Sequence, residues 1–281
     1  MKGIRYFLFS AWAACAIAGC GKPDLSLPPE GAFPSGGAMF QLTYVEPLEK
    51  KADNAIDSVL VNDILVSGST ESGQLAVNGT CPFGSSEDAG AFYQVEPGNV
   101  NIKFYRKDSM VYNRTVSLKE GKYELFVYRL DMDPVILDWG APVNETGQTS
   151  TGVFSNNPVT RIRFYNFAFQ EYPGTPYSGP LQYQVRNENG SEWFNVGEPV
   201  GFAEATEYQD VTILNTSGSE KLSFRVLTEA GVVLKVWNGS RYVDAADQWT
   251  ALSGTYTRHI CCGVIAGKPK YGYIRTSPIK Y

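Results

Sequence analysis

The sequence predicts an all-β chain, with two tandem antiparallel β-sandwich domains behind an N-terminal leader. Three observations carry that expectation. Tyr (17) and Phe (15) stand beside 28 Gly and 16 Pro, a mixture that suits pleated surfaces joined by tight turns. Apolar and polar residues alternate in many short runs, and no segment keeps a helical period. The runs recur in the same order in the two halves of the chain. With 43% hydrophobic and 19% charged residues, the chain has material for real cores and too little charge for disorder.

Residues 1–20 read MKGIRYFLFSAWAACAIAGC. Lys2 and Arg5 form a positive end, and Tyr6 to Gly19 an apolar stretch of 14 residues. Crossing a hydrocarbon core takes about 20 residues, so residues 1–19 read as a cleaved signal peptide. The stretch closes on Ile17-Ala18-Gly19-Cys20, which resembles the lipobox of bacterial lipoproteins. The resemblance implies a diacylglycerol on the Cys20 thiol and an acyl group on the new amine, and several acyl chains together anchor stably. Asp at the position after the Cys would resemble an inner-membrane retention signal. Gly21 stands there, so the expectation is an outer-membrane lipoprotein on the periplasmic or cell-surface face. Residues 20–35, with Pro23, Pro28 and Pro29, form a stiffened extended tether.

Loss of Lys2 and Arg5 with the leader takes the net charge from −5 to −7. That balance gives no electrostatic footprint for nucleic acid. The membrane is reached through the lipid rather than through a basic surface.

Two domains follow, residues 36–140 and 158–281, separated by a Gly-, Ser- and Thr-rich linker over residues 141–157. The first opens with Phe40-Gln41-Leu42-Thr43-Tyr44 and the second with Ile162-Arg163-Phe164-Tyr165. Second strands follow at Ser58 to Asn62 and Leu181 to Val185. Ile102-Lys103-Phe104-Tyr105 then matches Leu222-Ser223-Phe224-Arg225. Gly121-Lys122-Tyr123 and Gly254-Thr255-Tyr256 open the closing strands, and a Gly-x-Tyr there resembles the tyrosine corner of β-sandwiches. The second copy is longer near its end, and the surplus reads as an inserted loop over Arg241 to Trp249.

These residues together resemble domain-of-unknown-function family 4397, found in bacterial surface and secreted proteins. The likeness rests on the opening strand, on Val61-Asn62-Asp63, on the Pro97-Gly98 turn, on Ile102-x-Phe104, and on Val116-x-Leu118-x-x-Gly121-x-Tyr123. The second copy matches at its ends and departs between Trp193 and Thr206. The family implies immunoglobulin-like sandwiches and brings no catalytic residues.

Little chemistry is legible. Phosphate loops, HExxH, EF-hand and zinc spacings are missing from the sequence, so no cofactor and no metal is expected, and the chain reads as non-enzymatic. Asp131-Met132-Asp133 offers two carboxylates, too few for a calcium site on their own. His259 is the lone histidine and reads as a strand residue without chemistry. After cleavage Cys81, Cys261 and Cys262 remain. Alternation places Cys262 in a core with Ile260 and Val264. Pairing of Cys81 with Cys262 or Cys261 is one alternative, and buried free thiols are the other.

Trp139, Trp193, Trp237 and Trp249 are either plugs in the cores or contacts for a partner. Trp249, in the inserted loop beside Asp244, Asp247 and Gln248, is the first candidate for ligand contact, and Trp193 the second. The expected function is display or binding by a surface lipoprotein, with a glycan or protein as partner. A carbohydrate-binding accessory of a glycan uptake system and a fimbrial or adhesin component are the alternatives.

Overall fold

The computed structural model describes residues 37–46, 56–67, 80–81, 92–106, 108–138, 159–171, 174–215, 218–238, 240–252, 256–265 and 275–279. The leader, Cys20, the tether, Trp139 and the linker over residues 141–157 lie outside the described residues. All described elements are strands. The first half contains β1 (Ala38–Tyr44), β2 (Ser58–Val61), β3 (Ile64–Ser67), β4 (Thr80–Cys81), β5 (Tyr93–Val95), β6 (Gly98–Arg106), β7 (Ser109–Leu118), β8 (Gly121–Val127) and β9 (Val135–Asp138). The second half begins with β10 (Val159–Asn166), β11 (Phe169–Glu171), β12 (Thr175–Pro176), β13 (Leu181–Asn187), β14 (Phe194–Asn195), β15 (Glu204–Ala205) and β16 (Gln209–Thr212). It continues through β17 (Ser219–Thr228), β18 (Lys235–Trp237), β19 (Tyr242–Asp244), β20 (Ala246–Leu252), β21 (Tyr256–Cys261) and β22 (Arg275–Ile279).

Each half closes two sheets on a core. In the first, the sheet β4-β1-β8-β9 faces the sheet β3-β2-β6-β7, with β5 also on β1. In the second, β15-β10-β21-β22 faces β14-β13-β17-β20, with β16 also on β10. The two orders are the same, strand for strand. Phe104 and Phe224 hold equivalent places, opposite Val59 and Val185. The first core gathers Phe40, Leu42, Tyr44, Ile102, Phe104 and Leu125, all fully buried. The second gathers Ile162, Phe164, Tyr183, Leu222, Val226 and Cys261. Alternate positions on facing strands supply these side chains, which is why a period of two runs through both copies.

One pairing departs from the antiparallel expectation. β1 runs parallel to β8 from Ala38↔Gly121 to Tyr44↔Val127, and β10 runs parallel to β21. A parallel pair cannot be joined by a hairpin. Here the chain leaves for the other sheet and returns, so the opening and closing strands of each module lie side by side. Gly121 opens β8 at φ 145, where a Cβ would meet the Tyr123 ring.

Parallel sheets are usually covered on both faces, and both of these are. Behind the cores, the outer faces of β1–β8 and β10–β21 pack against each other. Val45 and Phe126 of the first half meet Tyr165, Phe167, Ile260 and Cys262 of the second. The result is four β-layers in series. Phe126 lies 5.0 Å from the Tyr165 ring and 4.7 Å from Phe167, and Phe202 sets its edge against Tyr128, Phe167 and Phe169. Beside these rings sits a charged cluster. Arg258 donates to Glu124 and, at 2.6 Å, to the Gln41 side-chain oxygen, while the Tyr165 hydroxyl donates to Glu124. The Arg258 and Glu124 side chains are each 1% exposed. Burial alone would lower the pKa of Arg258, but the Glu124 carboxylate beside it raises it.

Candidate functional site

Two features of the second module stand out. The first is an extra hairpin. β6 passes straight into β7, whereas β18 and β19 intervene between β17 and the equivalent strand β20. The expected inserted loop over Arg241 to Trp249 is therefore corrected. The surplus lies ahead of β20, and Trp249 belongs to that regular strand. Trp249 pairs with Leu222, so it shares the core-facing side. Its ring lies 4.9 Å from His259 and packs on the second core, half-buried. The exposed contact predicted for Trp249 is thereby reversed by register. Beneath the hairpin lies a groove of about 410 Å³ lined by Phe224, Val236, Asn238, Val243, Asp244 and Asp247. Asp244 is already paired with Lys235.

The second feature is the outer face of the β14-β13-β17-β20 sheet. Outward positions run Gln182, Gln184, Arg186 on β13 and Lys221, Ser223, Arg225 on β17. The register pairs Gln184 with Asn195 and with Arg225, and Ser223 with Arg186 and with Gln248. Residues directly opposite point to the same side of a sheet, so two polar rows cross the sheet. They are hydrogen-bonded: Arg225 Nε donates to Gln184 at 2.8 Å, Gln184 donates to Asn195 at 2.8 Å, and Gln248 donates to Ser223 at 3.2 Å.

Trp193 closes one end. It precedes Phe194, which pairs with Val185, so its indole falls beside Arg186. The Arg186 guanidinium lies 4.8 Å and the Arg225 guanidinium 4.3 Å from the Trp193 ring centre. Contacts of this length are cation–π attractions. Among the described residues neither guanidinium forms an ion pair, although Glu188 and Glu192 lie in the nearby turn. Arg186 Nε is buried without a hydrogen-bond partner. Trp193 is thus placed on a prepared surface, while its partners Arg186 and Arg225 were not singled out by sequence. The signal available was the outward run Gln182-x-Gln184-x-Arg186.

The remaining candidates lie elsewhere. Cys261 is a buried free thiol, the commoner of the two alternatives for it, and Cys262 is buried beside it. Cys261 joins the second core, and its thiol is pushed up to about 12 by burial. Cys262 sits between the modules rather than in a sandwich core. Cys81 lies on β4, opposite Leu42. His259 is fully buried among Tyr183, Phe224 and Trp249, its Nδ1 2.8 Å from the Tyr183 hydroxyl. Burial lowers it to about 3, which keeps the ring neutral at ordinary pH. Asp131 is paired with Arg129, and Asp133 with Arg114 at 3.1 Å. Trp237 stacks edge-on with Tyr242. Among the described residues no group of three or more His, Cys, Asp or Glu could hold a metal ion.

No protein-family model matches the chain, and no curated protein does. Solved structures with some likeness include the Bacillus anthracis TIE protein, at 9% identity and a TM-score of 0.24. That match covers 80% of this chain and 33% of the other, so the chain spans about a third of its length. A proposed cell adhesion protein from Bacteroides uniformis matches at 10% identity over 87% of this chain and 97% of its own, with a TM-score of 0.19. A proposed cell adhesion protein from Bacteroides eggerthii matches at 7% identity over 88% and 97%, with a TM-score of 0.21.

Proposed function

We propose that this chain is a non-enzymatic lipoprotein, anchored in the outer membrane through Cys20, whose two β-sandwich modules display a binding face at the cell surface. The resemblance of its first module to domain-of-unknown-function family 4397 is part of the same proposal. The observation that carries it is the outer face of the β14-β13-β17-β20 sheet. A sheet face turned to water needs no ring clamped between two cations, and holding those side chains in order has an entropic cost. A binding face gains from it, because ordered donors lose less freedom on association. The anchor motif and the tether hold that face at a membrane.

Intact cells test the reading. The wild-type chain should incorporate radiolabelled palmitate and be cleaved by external protease, and Cys20→Ala should do neither. A photo-reactive residue at Gln248 should cross-link a cell-surface component, and Trp193→Ala should reduce the yield. Full protease protection of the wild-type chain on intact cells would overturn surface display. Turnover of a substrate, lost on a single acid substitution, would overturn the non-enzymatic reading.

A further inference from the structure

We infer that the Arg186–Trp193–Arg225 face binds an anionic saccharide, a chain of sugar rings bearing carboxylate or sulfate groups. The inference rests on the proposed display function and names the ligand class for its binding face.

Charge comes first. The protein is acidic overall, yet this face collects Arg186, Arg225 and the exposed Lys221. Arg186 and Ser223 are opposite on adjacent strands, as are Gln184 and Arg225. The two arginines are therefore diagonal neighbours, a position where like charges repel. The Trp193 ring relieves part of that repulsion, and among the described residues neither arginine forms an ion pair that would relieve the rest. An incoming anion completes the balance. Arg225 spends only Nε on Gln184, so the ends of both guanidinium forks are left to bind an oxyanion in two-pronged fashion.

The form of the site selects a saccharide over an acidic peptide. Extended peptides add to sheet edges, where backbone groups are open. Here β17 is laddered to both β13 and β20, and β13 carries β14 along Gln184 and Val185, so the middle of the face, where Arg225 and Ser223 stand, offers side chains rather than open backbone. Those side chains are amides and a hydroxyl, Gln184, Asn195, Ser223 and Gln248, which both donate and accept. Sugar hydroxyls do the same. Three strand spacings of about 4.8 Å separate β14 from β20, so the rows are long enough to meet several rings of a chain.

Titration of the full chain in detergent with sodium polygalacturonate tests the inference, with neutral dextran and poly-L-glutamate as comparators. Polygalacturonate should bind and quench tryptophan fluorescence, and dextran should not. Arg186→Gln and Arg225→Gln should each weaken binding by about tenfold or more, the loss expected for a charge-assisted contact. Arg186→Lys keeps the charge without the planar fork and should weaken it less. Lys235→Gln, on the separate hairpin, should leave it unchanged. Raising salt from about 0.1 M to about 1 M, which shortens the screening length from about 10 Å to about 3 Å, should abolish most of it. Equal binding of dextran, equal or tighter binding of polyglutamate, or full binding by the double arginine variant with an unchanged melting temperature would overturn the inference. If polygalacturonate fails while cross-linking from Gln248 still depends on Trp193, the ligand class falls and the display function stands.

Discussion

The spaces between the four layers differ in kind. The two module cores hold mainly apolar side chains from facing strands, with His259 among the buried polar side chains of the second. The middle space joins an aromatic cluster to Arg258, Glu124, Gln41 and Tyr165. A core gains stability by removing apolar area from water, about 1.5–3 kcal/mol for each large side chain. A buried ion pair returns little net energy, because desolvation of both charges opposes their attraction. Its effect here is on geometry. Arg258 and Glu124 satisfy each other in one registration of the two sheets, and a slip would strand both.

The sharpest break of this comparison lies at adjacent residues of β8. Glu124→Ala leaves Arg258 buried without its counter-charge and should cost about 3–5 kcal/mol in urea unfolding. Combining Glu124→Leu with Arg258→Met should recover most of that loss. A wild-type urea midpoint for Glu124→Ala would show that the pair is not sealed between the modules.

Acid should act next. Free histidine titrates at 6.5, and burial lowers His259 to about 3. Between those values the unfolded chain holds a proton that the native chain does not, so the contribution is complete above 6.5 and is lost as pH falls toward 3. The slope is about 1.4 kcal/mol per pH unit within that window. His259→Gln should flatten the difference in stability between pH 6.5 and 4, and an unchanged slope would remove His259 from the account.

On the opposite face of β8, Leu125→Met keeps volume and polarity and should cost less than about 1.5 kcal/mol, well below its neighbour Glu124. The smallest effect is expected at the surface. Arg161→Ala breaks a pair with the partly exposed Asp210 and should shift stability by less than about 1 kcal/mol.

Alternation made much of the sandwich pattern readable. Phe40, Leu42 and Tyr44, or Leu181, Tyr183 and Val185, declare one side of a strand. It does not say what covers the other side. Gln41, Thr43, Glu124 and Arg258 have the pattern of solvent-facing positions and yet are buried, because a second sheet covers them. Glu124 and Arg258 lie 134 positions apart, and no local rule joins them. Trp249 shows the reverse failure. Its polar neighbours suggest a loop, but pairing with Leu222 turns the ring inward. Trp193 was readable as a candidate, whereas its two cationic partners depended on the register between β13 and β17.

The parallel pairing of β1 with β8 has a mechanical consequence. The chain enters β1 at Ala38, and its preceding residues lead back toward Cys20. A pull on that lead acts along the strand axis. Seven residues of β1 are laddered to β8, so the load falls on the hydrogen bonds together, in shear, rather than opening them one after another. Cover on both faces of β1 adds friction from Phe40, Leu42 and Tyr44 on one side and Gln41 and Thr43 on the other. The strand nearest the proposed anchor is thus held in shear against extraction by drag on whatever the far sheet holds.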